Sequence, residues 1–294
     1  MLTTEEAFRK FKTRLELTQG EQDDAARRQK EIRGIVAEAF KLQDDFLTGS
    51  YRRHTKTKRL KDVDIFCVLH DDERGTYRTG KQPSVLLNKL EKVLADKYGR
   101  ENVTQQRRSV SIQFLKAGED DKVMSFDVVP GFTKNKHYEI PDTKVSAGWI
   151  DTDPTIHAEK ATAAHAAFGG EWKGIVRMVK RWNREKDKPV KPSFLLEVMA
   201  LNILRPPFGG KFEYEMMGFF STAADRIFET WPDPAGLGSP VSDGMTDDVK
   251  RSAQTALRQA AEEMRAAINL TKSGNQGEAL RKYQQIFGPM FSMS

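Results

Sequence analysis

Asp62 and Asp64 stand one residue apart in the run KDVDIFCVL, and a third acid, Asp127, interrupts a second apolar run, MSFDVVP. A strand has period two, so Asp62 and Asp64 face one side of it while Val63 and Ile65 face the other. Two like charges held that close are costly unless a cation neutralises them. Mg2+, a hard ion that takes a few carboxylates together with substrate phosphates, suits such a pair, with Mn2+ as the alternative ion. By itself an Asp-x-Asp is weak, because a strand end bearing two solvated aspartates reads the same way. Asp127 shifts the balance: a carboxylate flanked by Phe126 and Val128 needs a metal or a basic partner, since burying it alone is expensive. A structural salt bridge is the competing reading. Three carboxylates on neighbouring strands are what two-metal phosphoryl transfer requires, one ion activating the attacking hydroxyl and the other steadying the leaving pyrophosphate.

Upstream lies LTGSYRRHT, where Gly49 and Ser50 end a strand-like segment. Glycine lets a phosphate approach the backbone, and a serine hydroxyl can donate to its oxygens, although a bare Gly-Ser is more often a plain turn. The stretch that follows carries Arg52, Arg53, His54, Lys56, Lys58, Arg59 and Lys61. Such a run is either a solvated loop or a cationic approach to the acidic pair it precedes.

These residues need a scaffold. Residues 3–40 read as helical, with a capping box at Thr3 and Glu6 and a second helix from near Glu21. Strand signals take over at Phe46 and Leu47, at 63–69, in the alternation of Val110, Ile112 and Phe114, and at 123–129 after a turn at Gly118. Together they predict a mixed sheet. Residues 83–98 place Leu86, Leu90, Val93 and Leu94 on one helical face, opened by Pro83 and closed by Gly99. Beyond about residue 150 helical periodicity dominates, in 155–168, 171–186, 193–204, 213–231 and 246–270, with a Pro/Gly-rich loop at 231–244. The fold class expected is α+β: an α/β lobe with N-terminal helices over 1–150, and an all-helical lobe over 151–294.

Composition narrows the chemistry. The 294 residues carry a net charge of +6 and a pI near 9.2, which favours anionic partners without choosing among them. Cys67 is the single cysteine and sits in an apolar run, so it reads as a core residue. The five histidines show neither i, i+4 pairing nor nearby cysteine, which argues against zinc and for an oxygen-held metal. The charged N-terminus MLTTEEAFRKFK does not read as a signal peptide, and no apolar run is long enough to span a bilayer, so a cytoplasmic protein without membrane partners is expected.

Gly49-Ser50, then Asp62-x-Asp64 after a basic linker, then Asp127 on a later strand, resemble the nucleotidyltransferase superfamily that includes DNA polymerase beta. More narrowly, GSYRRHT, KDVDIF, SFDVVP, Trp149 followed by Asp153-Pro154 and His157, VRMVKRW and PSFLLE resemble the bacterial cGAS/DncV-like nucleotidyltransferases, in this order from Phe46 into the helical half. The resemblance implies a two-lobed enzyme with its active site in the cleft between the lobes. It would make a cyclic di- or trinucleotide second messenger from nucleoside triphosphates, ATP among them, in anti-phage signalling. Asp62, Asp64 and Asp127 would hold two Mg2+ ions, and Gly49 and Ser50 would cradle the donor triphosphate. Lys180 and Ser193 match a lysine and a serine that contact donor phosphates, and Phe194 matches an aromatic position that stacks on a base. Each of these three has a plainer reading: a basic helix face, a helix cap and a core residue. His157 begins a helix after Asp153-Pro154 and is left outside the site. A downstream effector would read the product, and a regulatory protein partner is admissible, although the sequence does not show what activates the enzyme. Activation by nucleic acid is not expected, because one cysteine cannot furnish the zinc-bearing DNA-sensing insertion of the animal enzymes.

Two other functions use the same residues. One is a template-independent enzyme making linear products or tailing RNA. The other is a basic nucleic-acid-binding module without catalysis, against which the joint presence of three carboxylates and the Gly-Ser speaks.

Overall fold

The structure, a computed structural model, describes residues 2–58, 60, 62–114 and 125–293. Its contacts divide the chain into one unit of Leu17–His157 and another of Met1–Glu16 with Ala158–Ser294. The expected boundary at 150 thus lies at 157, inside a helix, and the first N-terminal helix belongs with the C-terminal unit.

In the Leu17–His157 unit, α2 (Gln19–Ala39) starts at a capping box in which Thr18 and Glu21 satisfy each other's backbone N–H groups. Glu21 also accepts from the backbone N–H of Leu60 at 2.7 Å, which ties the end of the basic loop to this helix. Then follow β1 (Leu42–Thr48), the single turn α3 (Gly49–Arg52), β2 (Asp62–Leu69), α4 (Arg74–Tyr77), α5 (Pro83–Tyr98), β3 (Val103–Gln105), β4 (Val110–Gln113), β5 (Ser125–Lys134), β6 (His137–Pro141) and β7 (Trp149–Thr152). These strands form one sheet in the order β1-β2-β5-β4-β3, with β6 pairing both β5 and β7. β2 and β5 are parallel and the other pairs antiparallel, the mixed sheet expected.

Alternation decides which face is dry. Val63, Ile65, Cys67 and Leu69 of β2, Phe126 and Val128 of β5, and Val110 and Ile112 of β4 pack against Ile32 and Val36 of α2 and Leu86, Leu87, Leu90 and Leu94 of α5. As expected, α5 opens with proline in its first turn and closes at Gly99. The opposite face carries the acids at one end and the small cluster of Phe66, Val68 and Ile140 at the other. Three strands escape the sequence reading: β3 has three residues, and β6 and β7 carry His137, Glu139 and Asp151 where an apolar run would have marked them. The expected turn at Gly118, with Val123 and Met124, lies outside the described residues, as do Arg59 and Lys61 of the basic stretch.

The second unit contains α1 (Thr4–Arg14), with the capping box Thr3/Glu6, and α7 (Trp172–Glu185), α8 (Phe194–Ile203), α9 (Phe212–Arg226), α10 (Asp247–Lys272) and α11 (Gln276–Phe287). The dividing residue falls within α6 (Pro154–Ala167). Among its described residues this unit is helical. Phe8 and Phe11 of α1 pack on Phe287 and Phe291, which is why the first helix folds with the chain's last. α11 lies in the expected all-helical lobe but was not named as a segment, although Leu280, Tyr283, Ile286 and Phe287 are buried at helical spacing.

Candidate active site

One row of side chains crosses the sheet. Thr48 of β1 pairs with Asp64 of β2, Asp64 with Asp127 of β5, and Asp127 with Ser111 of β4. Neighbouring strands lie about 4.8 Å apart, so the parallel register alone sets the Asp64 and Asp127 carboxylates side by side on the face opposite the core. One step along, Asp62 pairs with Ser125, whose hydroxyl donates to Asp62 Oδ1 at 3.0 Å. The three acids expected from sequence are therefore brought together. Ser111 was not singled out, and Ser125, which period two puts on the face of Asp127, was not among the expected site residues.

Crowding shows in the acid strength of Asp127. Burial, followed by the charges of Asp64 and Asp62, pushes its carboxyl up to about 6, while a hydrogen bond with Ser111 and the more distant Lys56 pull the other way. Gln106 Nε2 donates to Asp127 Oδ1 at 3.5 Å. Lys56 is drawn into the row, its ammonium 3.5 Å from Asp62 Oδ2. It arrives there because the chain after α3 folds back: the backbone N–H groups of Thr55 and Lys56 both donate to the Ser50 carbonyl, at 3.0 and 3.1 Å. Arg53 is buried, and the Arg52 guanidinium lies 5.2 Å over the Phe46 ring.

Gly49 serves the row in a way the sequence did not disclose. Its φ is +61°, and a Cβ there would sit 1.7 Å from Asp64 Oδ2. The glycine is demanded by the carboxylate beside it, before any phosphate is considered. Ser50 follows at the start of α3, half-buried.

The donor set is all hard oxygen, and its like charges oppose one another, which is the state a divalent cation relieves. Among the described residues no three His, Cys, Asp or Glu side chains close into a ready-made ligand cage. The arrangement fits Mg2+, an ion that takes one or two carboxylates and completes its shell with substrate phosphates and water. It does not fit a metal needing a full protein cage.

The remaining expected residues lie in the helical unit. Lys180 of α7 places its ammonium 2.5 Å from Glu197 of α8, with both side chains almost fully buried. Ser193 is exposed at the N-cap position of α8 and makes no side-chain capping bond. Phe194 is partly buried against the helical core. In the other unit, Asp153 caps α6 by accepting from the backbone N–H groups of Thr155 and Ile156, at 2.9 and 3.3 Å, as the Asp-Pro signature implied. His157 follows on the same helix, half-buried.

A Gly-Ser turn against an Asp-x-Asp strand, with a third aspartate on the parallel neighbour, is the arrangement that the resemblance to nucleotidyltransferases implies. Residues 1–164 match the Second Messenger Oligonucleotide or Dinucleotide Synthetase domain, and the chain belongs to that family. It is 28% identical over 273 residues to a protein named probable cyclic nucleotide synthase from Bacillus cereus strain VD146, covering 83% of this chain and 80% of the relative. It is 25% identical over 269 residues to the cyclic AMP-AMP-AMP synthase of an Acinetobacter strain, covering 85% and 73%. Among solved structures, CdnC of E. coli MS115-1 with ATP superposes with a TM-score of 0.72 at 18% identity, covering 99% of each chain, and CdnC is also solved in a complex with HORMA-deltaN. The protein is a cyclic oligonucleotide synthase that works from nucleoside triphosphates, within a family that is typically metal-dependent.

Proposed function

We propose that Asp62, Asp64 and Asp127 carry the chemistry of this synthase by holding Mg2+, and that Gly49, Ser50, Lys180, Ser193 and Phe194 receive the donor nucleotide. The register that sets Asp127 beside Asp64 carries the reading, because it gathers negative charge where a cation-bound triphosphate would stand. Mg2+, when bound, neutralises the triphosphate and lowers the pKa of the attacking hydroxyl. The chain's own part is positioning. Gly49 keeps the backbone close to Asp64, Ser125 fixes the Asp62 carboxylate, and Lys56 offsets part of the charge until substrate arrives. No protein nucleophile is needed, because the reaction is oriented in-line displacement.

ATP is the substrate expected first, from the likeness to CdnC with ATP and to the cyclic AMP-AMP-AMP synthase. By the likeness to CdnC, which is solved with HORMA-deltaN, we assign this chain a regulatory protein partner; the family resemblance adds a place in anti-phage signalling upstream of an effector that reads the product. Incubation of the pure protein with the four labelled triphosphates and Mg2+, followed by phosphatase, tests the reading. A phosphatase-resistant product supports a ring; products that all lose a terminal phosphate would mean linear synthesis.

A further inference from the structure

β3 and β4 are joined by the turn 106–109, closed by a bond from the Gln106 N–H to the Ser109 carbonyl at 2.8 Å. A hairpin tip on a sheet edge is ordinarily mobile. This one is pinned. Arg107 Nε and Arg108 Nε donate to the two oxygens of Asp142 at 2.6 and 2.7 Å, and Asp142 is fully buried. The Arg107 carbonyl in turn accepts from the Thr143 N–H at 3.2 Å.

The pinned turn aims one neutral side chain at the row of acids. Ser109 Oγ donates to Gln106 Oε1 at 3.1 Å, which fixes the orientation of the amide and turns its Nε2 toward Asp127 Oδ1, 3.5 Å away. Ser111, from the strand after the turn, also hydrogen-bonds Asp127. The hairpin thus supplies two neutral donors to a carboxylate that an arginine would have neutralised, although two arginines stand next in the chain and are tied away on Asp142.

The geometry points to Gln106 as a positioning residue for the synthase reaction: oriented by Ser109 and held by the Arg107/Arg108–Asp142 clamp, it sets the plane of the Asp127 carboxylate while leaving its charge for the cation. This rests on the reading of Asp127 as a metal ligand. Partners that orient a ligand in this way are worth about tenfold to a hundredfold in metal affinity or activity.

The test combines steady-state kinetics with Mn2+ titration followed by electron paramagnetic resonance in the presence of a non-hydrolysable ATP analogue. Gln106→Leu keeps the size without the donor; it should lower kcat and Mn2+ affinity by about tenfold or more, with KM for ATP within about twofold. Gln106→Lys keeps a donor but adds a charge, and should lose Mn2+ affinity at least as strongly. Ser109→Ala, which leaves the sheet core untouched, should shift both quantities in the same direction by less, and serves if a Gln106 variant fails to fold. Wild-type kcat and Mn2+ affinity in Gln106→Leu, or in Ser109→Ala where that variant must stand in, overturn the inference. Asp127→Asn run in parallel separates the two layers: if it stays active the reading of Asp127 falls, and if it is inactive while Gln106→Leu is normal only the role of Gln106 falls.

Discussion

At the scale of single residues, Asp127 combines a functional assignment with a cost to the fold. Its carboxyl is raised to about 6 from an ordinary value of 3.8, so between those pH values the folded chain binds more protons than the unfolded one. Stability from this group is therefore greatest below pH 4, falls as pH rises through about 6, and stays lower above. Asp127→Asn should accordingly stabilise the metal-free protein at pH 8 by on the order of 2 kcal/mol, with the gain vanishing near pH 4. The same variant should lose turnover by about a thousandfold or more, because an amide cannot supply the charge that holds the activating ion. Thermal melts at the two pH values, with and without Mg2+, check the first half: Mg2+ with ATP should raise the wild-type melting temperature more than that of the variant. Gly49→Ala makes a second residue-scale prediction. Its Cβ would collide with Asp64, and its φ of +61° is unfavourable for alanine, so activity should fall well over tenfold while most of the fold survives. Activity near wild type in Gly49→Ala would show that the Asp64 carboxylate does not need its present position.

At the scale of elements, the Lys180–Glu197 pair joins α7 to α8. Removing one partner of a buried ion pair typically costs about 3–5 kcal/mol, because the other charge is left buried. Lys180→Ala should therefore weaken the fold as well as triphosphate binding, and cannot by itself separate the two. The double variant Lys180→Met/Glu197→Leu should recover most of the lost melting temperature without recovering ATP affinity; a double variant that binds ATP like wild type would remove Lys180 from the donor site. Elements also show what was readable in sequence. β2, β4, β5 and α5 announce themselves because burial on one face imposes an apolar period, and Asp62, Asp64 and Asp127 stand out as breaks in it. β3, β6 and β7 are short or polar and leave no such signature. Gln106 and Ser111 were invisible for a related reason: their place beside Asp127 is set by strand register and a turn, and neither residue type is unusual at a sheet edge. The partner of Gly49 was likewise hidden, because the contact with Asp64 depends on pairing between β1 and β2.

At the scale of the whole chain, the two large hydrophobic cores among the described residues account for the two units, one between the sheet and α2 with α5, the other among the helices from α1 to α11. Among the described residues no helix is long and apolar enough to cross a membrane, and the net charge of +6 suits a protein whose substrates are polyanions. Family membership fixes the class of product, and the proposal places its chemistry on the row of acids. The direct measurement is mass spectrometry of phosphatase-treated products from wild type and Asp127→Asn, each incubated with the four nucleoside triphosphates and Mg2+. The account predicts a phosphatase-resistant cyclic oligonucleotide from wild type, its loss when Mg2+ is chelated, and none from Asp127→Asn at equal protein and time. The same cyclic product from Asp127→Asn at a near wild-type rate would contradict it.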